Sequence, residues 1–245
     1  MPVDTAGQQP AMFAHSVESF YAHGVECDYF VGHSLGSYAA LVAAGAMDVV
    51  DGERVVAERG LAMAAAANDH PGAMLALLGC SPEGAVQLAT KFGLTVSNDN
   101  APGQIIITGA IEGIEAIEGA APVDPTAGED ARLLRLKRLP VSGAFHSPLI
   151  ASAAERLSAV LADVEFADAS KVIANGTAQP YVEPRRELAE ELLGPVRFRE
   201  SLLNLWDLGV REFVEFEPGG VLTGLVKRTL PEARAVKVAD LVASR

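Results

Sequence analysis

The clearest pattern in the chain is a short apolar run, Tyr29-Phe30-Val31, that passes through Gly32-His33-Ser34-Leu35-Gly36 into an alanine-rich segment ending at Gly45. Such a sequence predicts a strand, a sharp turn and a helix. Upstream, over residues 11–23, Met12, Val17, Phe20 and Tyr21 fall largely along one side of a helix; downstream, residues 52–67 predict a second helix carrying Val55, Val56, Leu61 and Met63. From about residue 71 to 137 the apolar runs shorten. They predict strands at 73–78, 94–97, 104–108 and 133–136, with helices at 81–92, capped by Ser81, and 111–119 between them. Residues 122–130 read as a mobile surface loop. Beyond the last of these strands, residues 141–145 and 171–174 read as strands, with a helix at 149–161 between them. Helices at 185–193 and 196–208, with Trp206 in the core, precede a strand at 212–216, a helix at 220–230 and a strand at 235–238.

Alternating strands and helices in the outer segments predict an α/β, hydrolase-like domain: a mostly parallel sheet with helices on both faces, formed by residues 1–70 and 138–245. The middle segment, in the order βαββαβ, predicts an inserted ferredoxin-like subdomain over 71–137 with its own small sheet. The groove between the two bodies is the expected site.

Composition narrows the function. With 245 residues, 49% of them hydrophobic, the chain can bury a sizeable core as one large or two smaller domains. No apolar run approaches the ~20 residues of a membrane span, and Met1-Pro2-Val3-Asp4 lacks the basic and apolar regions of a secretory signal. A net charge of −13 argues against nucleic acid, because no cationic surplus neutralises phosphates. The two cysteines, Cys27 and Cys80, are too few for a disulfide framework or a zinc site. These features predict a cytoplasmic protein with no membrane contact, no metal site and no bound cofactor.

Gly-x-Ser-x-Gly between a strand and a helix is the pattern of a nucleophile elbow. The turn forces Ser34 into a strained conformation, and glycines on both sides are expected to avoid clashes. The helix start then offers Leu35 N–H as an oxyanion donor. A serine hydroxyl needs a base. Of the five histidines, His15 and His23 lie on the first helix, His33 faces away inside the elbow and His70 is in a polar turn. His146 follows the apolar 141–145 stretch, at a strand end where α/β sites gather. Arg59 is an isolated charge among small apolar residues.

Five segments in register, Gly32-His33-Ser34-Leu35-Gly36, Arg59 in Ala57-Glu58-Arg59-Gly60-Leu61, Asn98-Asp99-Asn100-Ala101-Pro102-Gly103-Gln104, Gly143-Ala144-Phe145-His146-Ser147 and Pro218-Gly219-Gly220-Val221-Leu222, resemble the malonyl-CoA:acyl carrier protein transacylase family, which includes polyketide synthase acyltransferase domains. The resemblance runs from about Gln9 to the C-terminus. It implies an acyltransferase in which Ser34 takes malonyl from malonyl-CoA, with His146 as base, and passes it to the phosphopantetheine thiol of an acyl carrier protein. It further implies that the backbone carbonyl of Glu191 orients His146, that Arg59 grips the free malonyl carboxylate, and that Phe145 leaves little room for an α-methyl branch. A planar guanidinium can hold a carboxylate bidentately; a buried structural salt bridge is the other reading of Arg59. Asn98, Asn100 and Gln104 resemble cleft-lining residues, although turn chemistry accounts for them equally well.

The sequence departs from the family at its start. Ala6-Gly7-Gln8-Gln9 does not replace the Gly-Gln-Gly-Ser-Gln-type loop that supplies the second oxyanion N–H, and Ser37 stands where an acidic or amide residue is usual. The numbering starting late, a separate chain supplying the missing strand, or altered activity would each explain it. A thioester hydrolase of the same fold and a catalytically impaired carrier-binding module are the alternatives. Docking of an acidic carrier protein calls for a basic face, with candidates in Arg132, Arg135, Lys137 and Arg138, and in Arg185, Arg186, Arg197 and Arg199.

Overall fold

The computed structural model describes residues 5–128, 131–141 and 143–242. Its first helix, α1 (Thr5–His23), begins earlier than the apolar pattern suggested and runs through Pro10. The buried stripe is Gln9, Phe13 and Val17, spaced at i, i+4. The stripe expected through Met12 and Tyr21 is corrected: both are exposed. Phe13 sets the rotation, because its ring packs against Gly52, where a Cβ would lie 2.5 Å from the ring. After β1 (Phe30–Val31) and α2 (Gly36–Ala43) comes α3 (Val49–Asp69), started by Asp48, whose side chain accepts the Val50 N–H at 2.8 Å.

The middle segment follows the expected order: β2 (Gly72–Leu78), α4 (Pro82–Lys91), β3 (Thr95–Ala101), β4 (Gln104–Ala110), α5 (Ile111–Gly119) and β5 (Arg135–Arg138). The four strands form one antiparallel sheet in the order β3-β4-β2-β5. Period-two alternation gives this sheet two working faces. Leu75, Leu77, Ile105 and Ile107 pack with Leu88, Ile114 and Ile117 into a core of their own. Met74, Ala76 and Ile106, on the opposite face, join the main core. At about 1.5–3 kcal/mol for each fully buried aliphatic side chain, both faces matter to stability.

Two readings of this region change. The last strand begins at Arg135, since Leu133 is exposed and bridges only to Val123. The described part of the 122–130 segment is anchored, because the buried Asp124 accepts hydrogen bonds from Ser81 N–H at 2.6 Å and Thr126 N–H at 2.9 Å; residues 129 and 130 lie outside the described residues.

Among the described residues of 141–145 no strand forms. Val141 N–H turns back onto Leu139 C=O at 2.8 Å, and Gly143 bridges once, to Pro71, so the stretch crosses the body instead of pairing along it; Ser142 lies outside the described residues. A 3-10 turn (Pro148–Ile150) leads into α6 (Ala151–Leu161), β6 (Val172–Ile173), α7 (Pro184–Glu190), α8 (Phe198–Asp207), β7 (Glu212–Glu215), α9 (Leu222–Thr229) and β8 (Arg234–Lys237). Trp206 is half-buried at the edge of a third core, with the Arg211 guanidinium 3.9 Å from its ring centre.

The protein is mixed α/β, but the expected single, mostly parallel sheet is a further correction. Among the described residues the parallel strands are two separate pairs, β1 with β6 and β7 with β8, and the largest sheet is antiparallel. The first pair is two residues long for a local reason. Gly32 ends β1 by turning the chain into the elbow, and Ala174 ends β6 by bonding Gln179 C=O at 2.8 Å. Among the described residues no helix is long and apolar enough to cross a membrane.

Candidate active site

Ser34 sits between β1 and α2 at φ +52°, in the left-handed region that a side chain rarely adopts. Only one of the flanking glycines is sterically required. A Cβ on Gly32 would lie 1.9 Å from the Gly36 carbonyl carbon, whereas one on Gly36 would meet nothing within 4 Å. The expectation of a clash on both sides is corrected accordingly, since the Gly36 position opens into free space.

The structure brings His146 to Ser34. Ser34 Oγ lies 2.8 Å from His146 Nε2, and His146 Nδ1 lies 2.8 Å from the Glu191 backbone oxygen. A carbonyl can only accept, so Nδ1 carries the proton and Nε2 presents its lone pair to the serine hydroxyl. His146 is only 4% exposed and adopts φ +59°. Burial, and then the Arg59 charge, lower its pKa to about 4, so the ring is neutral near pH 7.

Arg59 comes from α3 and is 3% exposed. Its Nη2 donates to Ser34 Oγ at 2.8 Å and its Nη1 to Gln9 Oε1 at 2.5 Å; the guanidinium lies 5.5 Å from the Tyr38 ring centre. Among the described residues it forms no ion pair, and its Nε has no hydrogen-bond partner. The neighbouring Glu58 pairs outward with Arg156. The structural-salt-bridge reading therefore fails: this is a buried cation held by neutral groups, an arrangement that favours an incoming anion.

Three participants were missed from sequence. Ala6-Gly7-Gln8-Gln9 does not match the family's glutamine loop, yet α1 runs through this segment and buries Gln9 against Arg59. Asn175 read only as the end of a strand. Its Oδ1 accepts Ser34 N–H at 2.6 Å and its Nδ2 donates to Gly32 C=O at 2.8 Å. The Glu191 side chain is also buried, accepting Asn175 N–H and Tyr181 O–H on one oxygen, both at 2.7 Å. The helical periodicity of Gln9, Phe13 and Val17 was the available signal for the first; the other two had none.

Of the remaining candidates, Asn98 and Asn100 are buried strand residues of β3, not turn residues. Asn100 Oδ1 lies 2.7 Å from His33 Nε2, and Asn98 Oδ1 accepts the Ser97 hydroxyl at 2.7 Å. Gln104 opens β4 and accepts from Arg228 at 2.9 Å, with no bond to Ser34 or His146. Phe145 is buried in the main core against Gly143, where a Cβ would lie 2.5 Å from its ring. Leu35 immediately precedes α2. Arg135 and Lys137, exposed on β5, line a cavity of about 560 Å³ together with Gln104 and Arg228. The second basic group is internally occupied: Arg186, Arg197 and Arg199 pair with Glu183, Glu200 and Asp99, and Arg185 bonds the Leu161 and Val164 carbonyls.

A family model described as the acyl transferase domain matches residues 3–245. The chain belongs to the acyl transferase domain family. A malonyl CoA-acyl carrier protein transacylase of Bacillus subtilis is 39% identical, over 96% of this chain and 76% of its own. The polyketide biosynthesis malonyl CoA-acyl carrier protein transacylase of Bacillus velezensis is 34% identical, over 93% and 79%. Among solved structures, the malonyl CoA-acyl carrier protein transacylase from Coxiella burnetii superposes with a TM-score of 0.88 at 30% identity, over 98% of this chain and 78% of that one. Acyl transferase membership agrees with an elbow serine, a carbonyl-oriented histidine and a buried arginine meeting at one point.

Proposed function

We propose that this acyl transferase moves a malonyl group from coenzyme A to the phosphopantetheine thiol of an acyl carrier protein, through an acyl-serine at Ser34. In this reading His146 Nε2 takes the hydroxyl proton as Ser34 Oγ attacks the thioester carbonyl, and Leu35 N–H receives the developing oxyanion. The imidazolium, oriented by Glu191 C=O, then protonates the departing coenzyme A sulfur. The second half runs in reverse: His146 takes the proton of the carrier thiol, its sulfur attacks the acyl-serine, and Ser34 Oγ regains a proton. Malonyl-CoA is a substrate, and no step calls for a bound cofactor.

One observation carries the reading. Arg59 is buried, has no carboxylate partner among the described residues and donates directly to Ser34 Oγ. A free carboxylate two carbons from the reacting carbonyl would reach that guanidinium while the carbonyl sits over Ser34. In this reading Phe145, packed against Gly143 in the main core, leaves little room for an α-methyl branch and favours the unbranched acyl group.

We further infer that the carrier protein approaches over Arg135, Lys137 and Arg228. These cations surround the 560 Å³ cavity, whereas the other basic group is already paired. Asn98 and Asn100 belong to β3 and Gln104 to β4, and Gln104 lines the same cavity. The strand order and separate core of 71–137 support reading it as a ferredoxin-like insert in a hydrolase-like domain made of 1–70 and 138–245. A cytoplasmic setting fits the free thiols of Cys27 and Cys80.

Incubation with labelled malonyl-CoA tests the proposal. Label is expected on Ser34 and is expected to move to added carrier protein; label retained by Ser34→Ala, or released only as free malonate, would overturn it.

A further inference from the structure

The elbow rests on a buried polar unit that the reaction itself does not use. Asn175 has all four of its polar groups engaged. Its side-chain amide spans the turn from Gly32 C=O to Ser34 N–H, its own C=O accepts Arg197 N–H at 3.0 Å, and its own N–H is donated to Glu191 Oε1 at 2.7 Å. The donor and acceptor on the elbow fix which end of the Asn175 amide faces which group. Glu191 then reaches the dyad by two routes. Its main chain bonds His146 Nδ1 at 2.8 Å, and its side chain bonds the residue that clamps Ser34.

We propose that, beyond the backbone carbonyl that faces His146, the Glu191 carboxylate, acting through Asn175, holds the strained backbone at Ser34, so that one residue positions both halves of the dyad. The inference rests on the acyl-serine reading above. Neither Glu191 nor Asn175 touches the reacting atoms; both are positioning residues.

The donor count explains why a carboxylate stands here. Asn175 N–H and Tyr181 O–H bond one oxygen, and Gly176 N–H also faces the carboxylate. A glutamine would offer one acceptor oxygen to three donors and turn its own NH2 toward at least one of them. The carboxylate forms no ion pair among the described residues and is 7% exposed. Burial dominates its titration and raises its pKa to about 7, against the lowering effects of the Tyr181, Asn175 and Gly176 hydrogen bonds and of the Arg59 charge.

The titratable and charged groups around it are few. Tyr38 on α2 and Tyr181 before α7 are both pushed up, chiefly by burial, and stay neutral. Arg59 on α3 supplies a fixed positive charge. His146, bonded to the Glu191 backbone, titrates at about 4. Glu191 alone among these changes state near pH 7. Protonation places a hydroxyl proton among donors and removes an acceptor from the clamp.

Single-turnover acylation of Ser34 by malonyl-CoA, followed from about pH 5 to pH 8.5, tests this, because that half-reaction needs no thiol ionisation. Acylation of the unaltered protein is expected to fall as the pH drops through about 7. Glu191→Gln keeps the backbone carbonyl, yet is expected to acylate about tenfold more slowly at pH 8, with the malonyl-CoA KM within about twofold and no inflection near pH 7. Asn175→Ala is expected to show a comparable loss, and the double variant to be no slower than the worse single one. Unchanged acylation by Glu191→Gln, or losses that multiply in the double variant, would overturn the proposal. Should either variant fail to fold, the unaltered protein decides: a profile flat through pH 7 overturns it and an inflection there supports it. An unaltered chain that takes no label fails the acyl-serine reading, and this inference with it; one that labels normally while Glu191→Gln labels equally fast fails the inference alone.

Discussion

Ser34 Oγ and His146 Nε2 lie 2.8 Å apart although 112 positions of chain separate them. Each stands at a positive φ, +52° and +59°, so both side chains are delivered by strained backbone that the surrounding hydrogen bonds hold in place. His146 Nε2 faces the Ser34 hydroxyl because Nδ1 lies against Glu191 C=O.

Removal of the base is therefore expected to be severe. His146→Ala should slow Ser34 acylation by about 10²–10⁴-fold, the usual contribution of a positioned general base, while malonyl-CoA binding changes little. Stopped-flow acylation and an independent binding measurement check this; a loss confined to binding would contradict the assignment.

Arg59 should trade stability for selectivity. Each hydrogen bond to a charged group contributes about 1.5–3 kcal/mol, so Arg59→Met is expected to lower kcat/KM for malonyl-CoA by about 10–100-fold and to leave acetyl-CoA nearly unaffected. Because the guanidinium is buried without an anionic partner among the described residues, the variant should be no less stable than the parent. Competition between the two thioesters and thermal unfolding read both effects; unchanged selectivity would remove the carboxylate clamp.

Stability against pH should reveal two buried groups of opposite sign. His146 has its pKa lowered from 6.5 to about 4 on folding, so the unfolded chain binds its proton first and stability falls as pH drops from about 6.5 to 4. Glu191 has its pKa raised from 4.5 to about 7, so the folded chain keeps that proton and stability rises as pH drops from about 7 to 4.5. The two oppose each other between about pH 4.5 and 6.5. Glu191→Gln removes the second effect, and its unfolding midpoint should fall more steeply over that window than the parent's. Superimposable profiles would refute the pairing.

The two elbow glycines should behave differently. Gly32→Ala drives a Cβ into the Gly36 backbone and is expected to lose several kcal/mol or fail to fold. Gly36→Ala meets open space at the start of α2 and is expected to fold with equal or slightly higher stability, by up to about 1 kcal/mol. Equal losses in denaturant titrations of both would show that the elbow is not built as described.

The elements whose meaning is local could be read in order along the chain. The elbow at Gly32 to Gly36, the βαββαβ order of the insert, and the candidates Ser34, Arg59 and His146 all rest on short-range pattern or motif, and the structure brings those three side chains together. Gln9, Asn175 and the Glu191 carboxylate could not be read this way. Their roles depend on packing α1 against α3, and on setting the end of β6 beside the elbow; periodicity places Gln9 on the buried stripe of α1 but does not show what it meets, and it carries no trace of the other two.

Chain order and side-chain chemistry alone determined which segments are helices and where the sharp turn falls, because those depend on neighbours three or four residues away, and motif resemblance added Arg59 as an anion clamp to the serine and histidine candidates. Tertiary packing decided that, among the described residues, the parallel strands stay in separate two-stranded pairs, Gly143 pairs only through a single bridge to Pro71, Arg59 is buried with no counter-ion, and Glu191 bonds both His146 and the residue that holds Ser34 N–H. Those outcomes turn on burial and on the pairing of distant polar groups, which exist only once the chain has closed on itself.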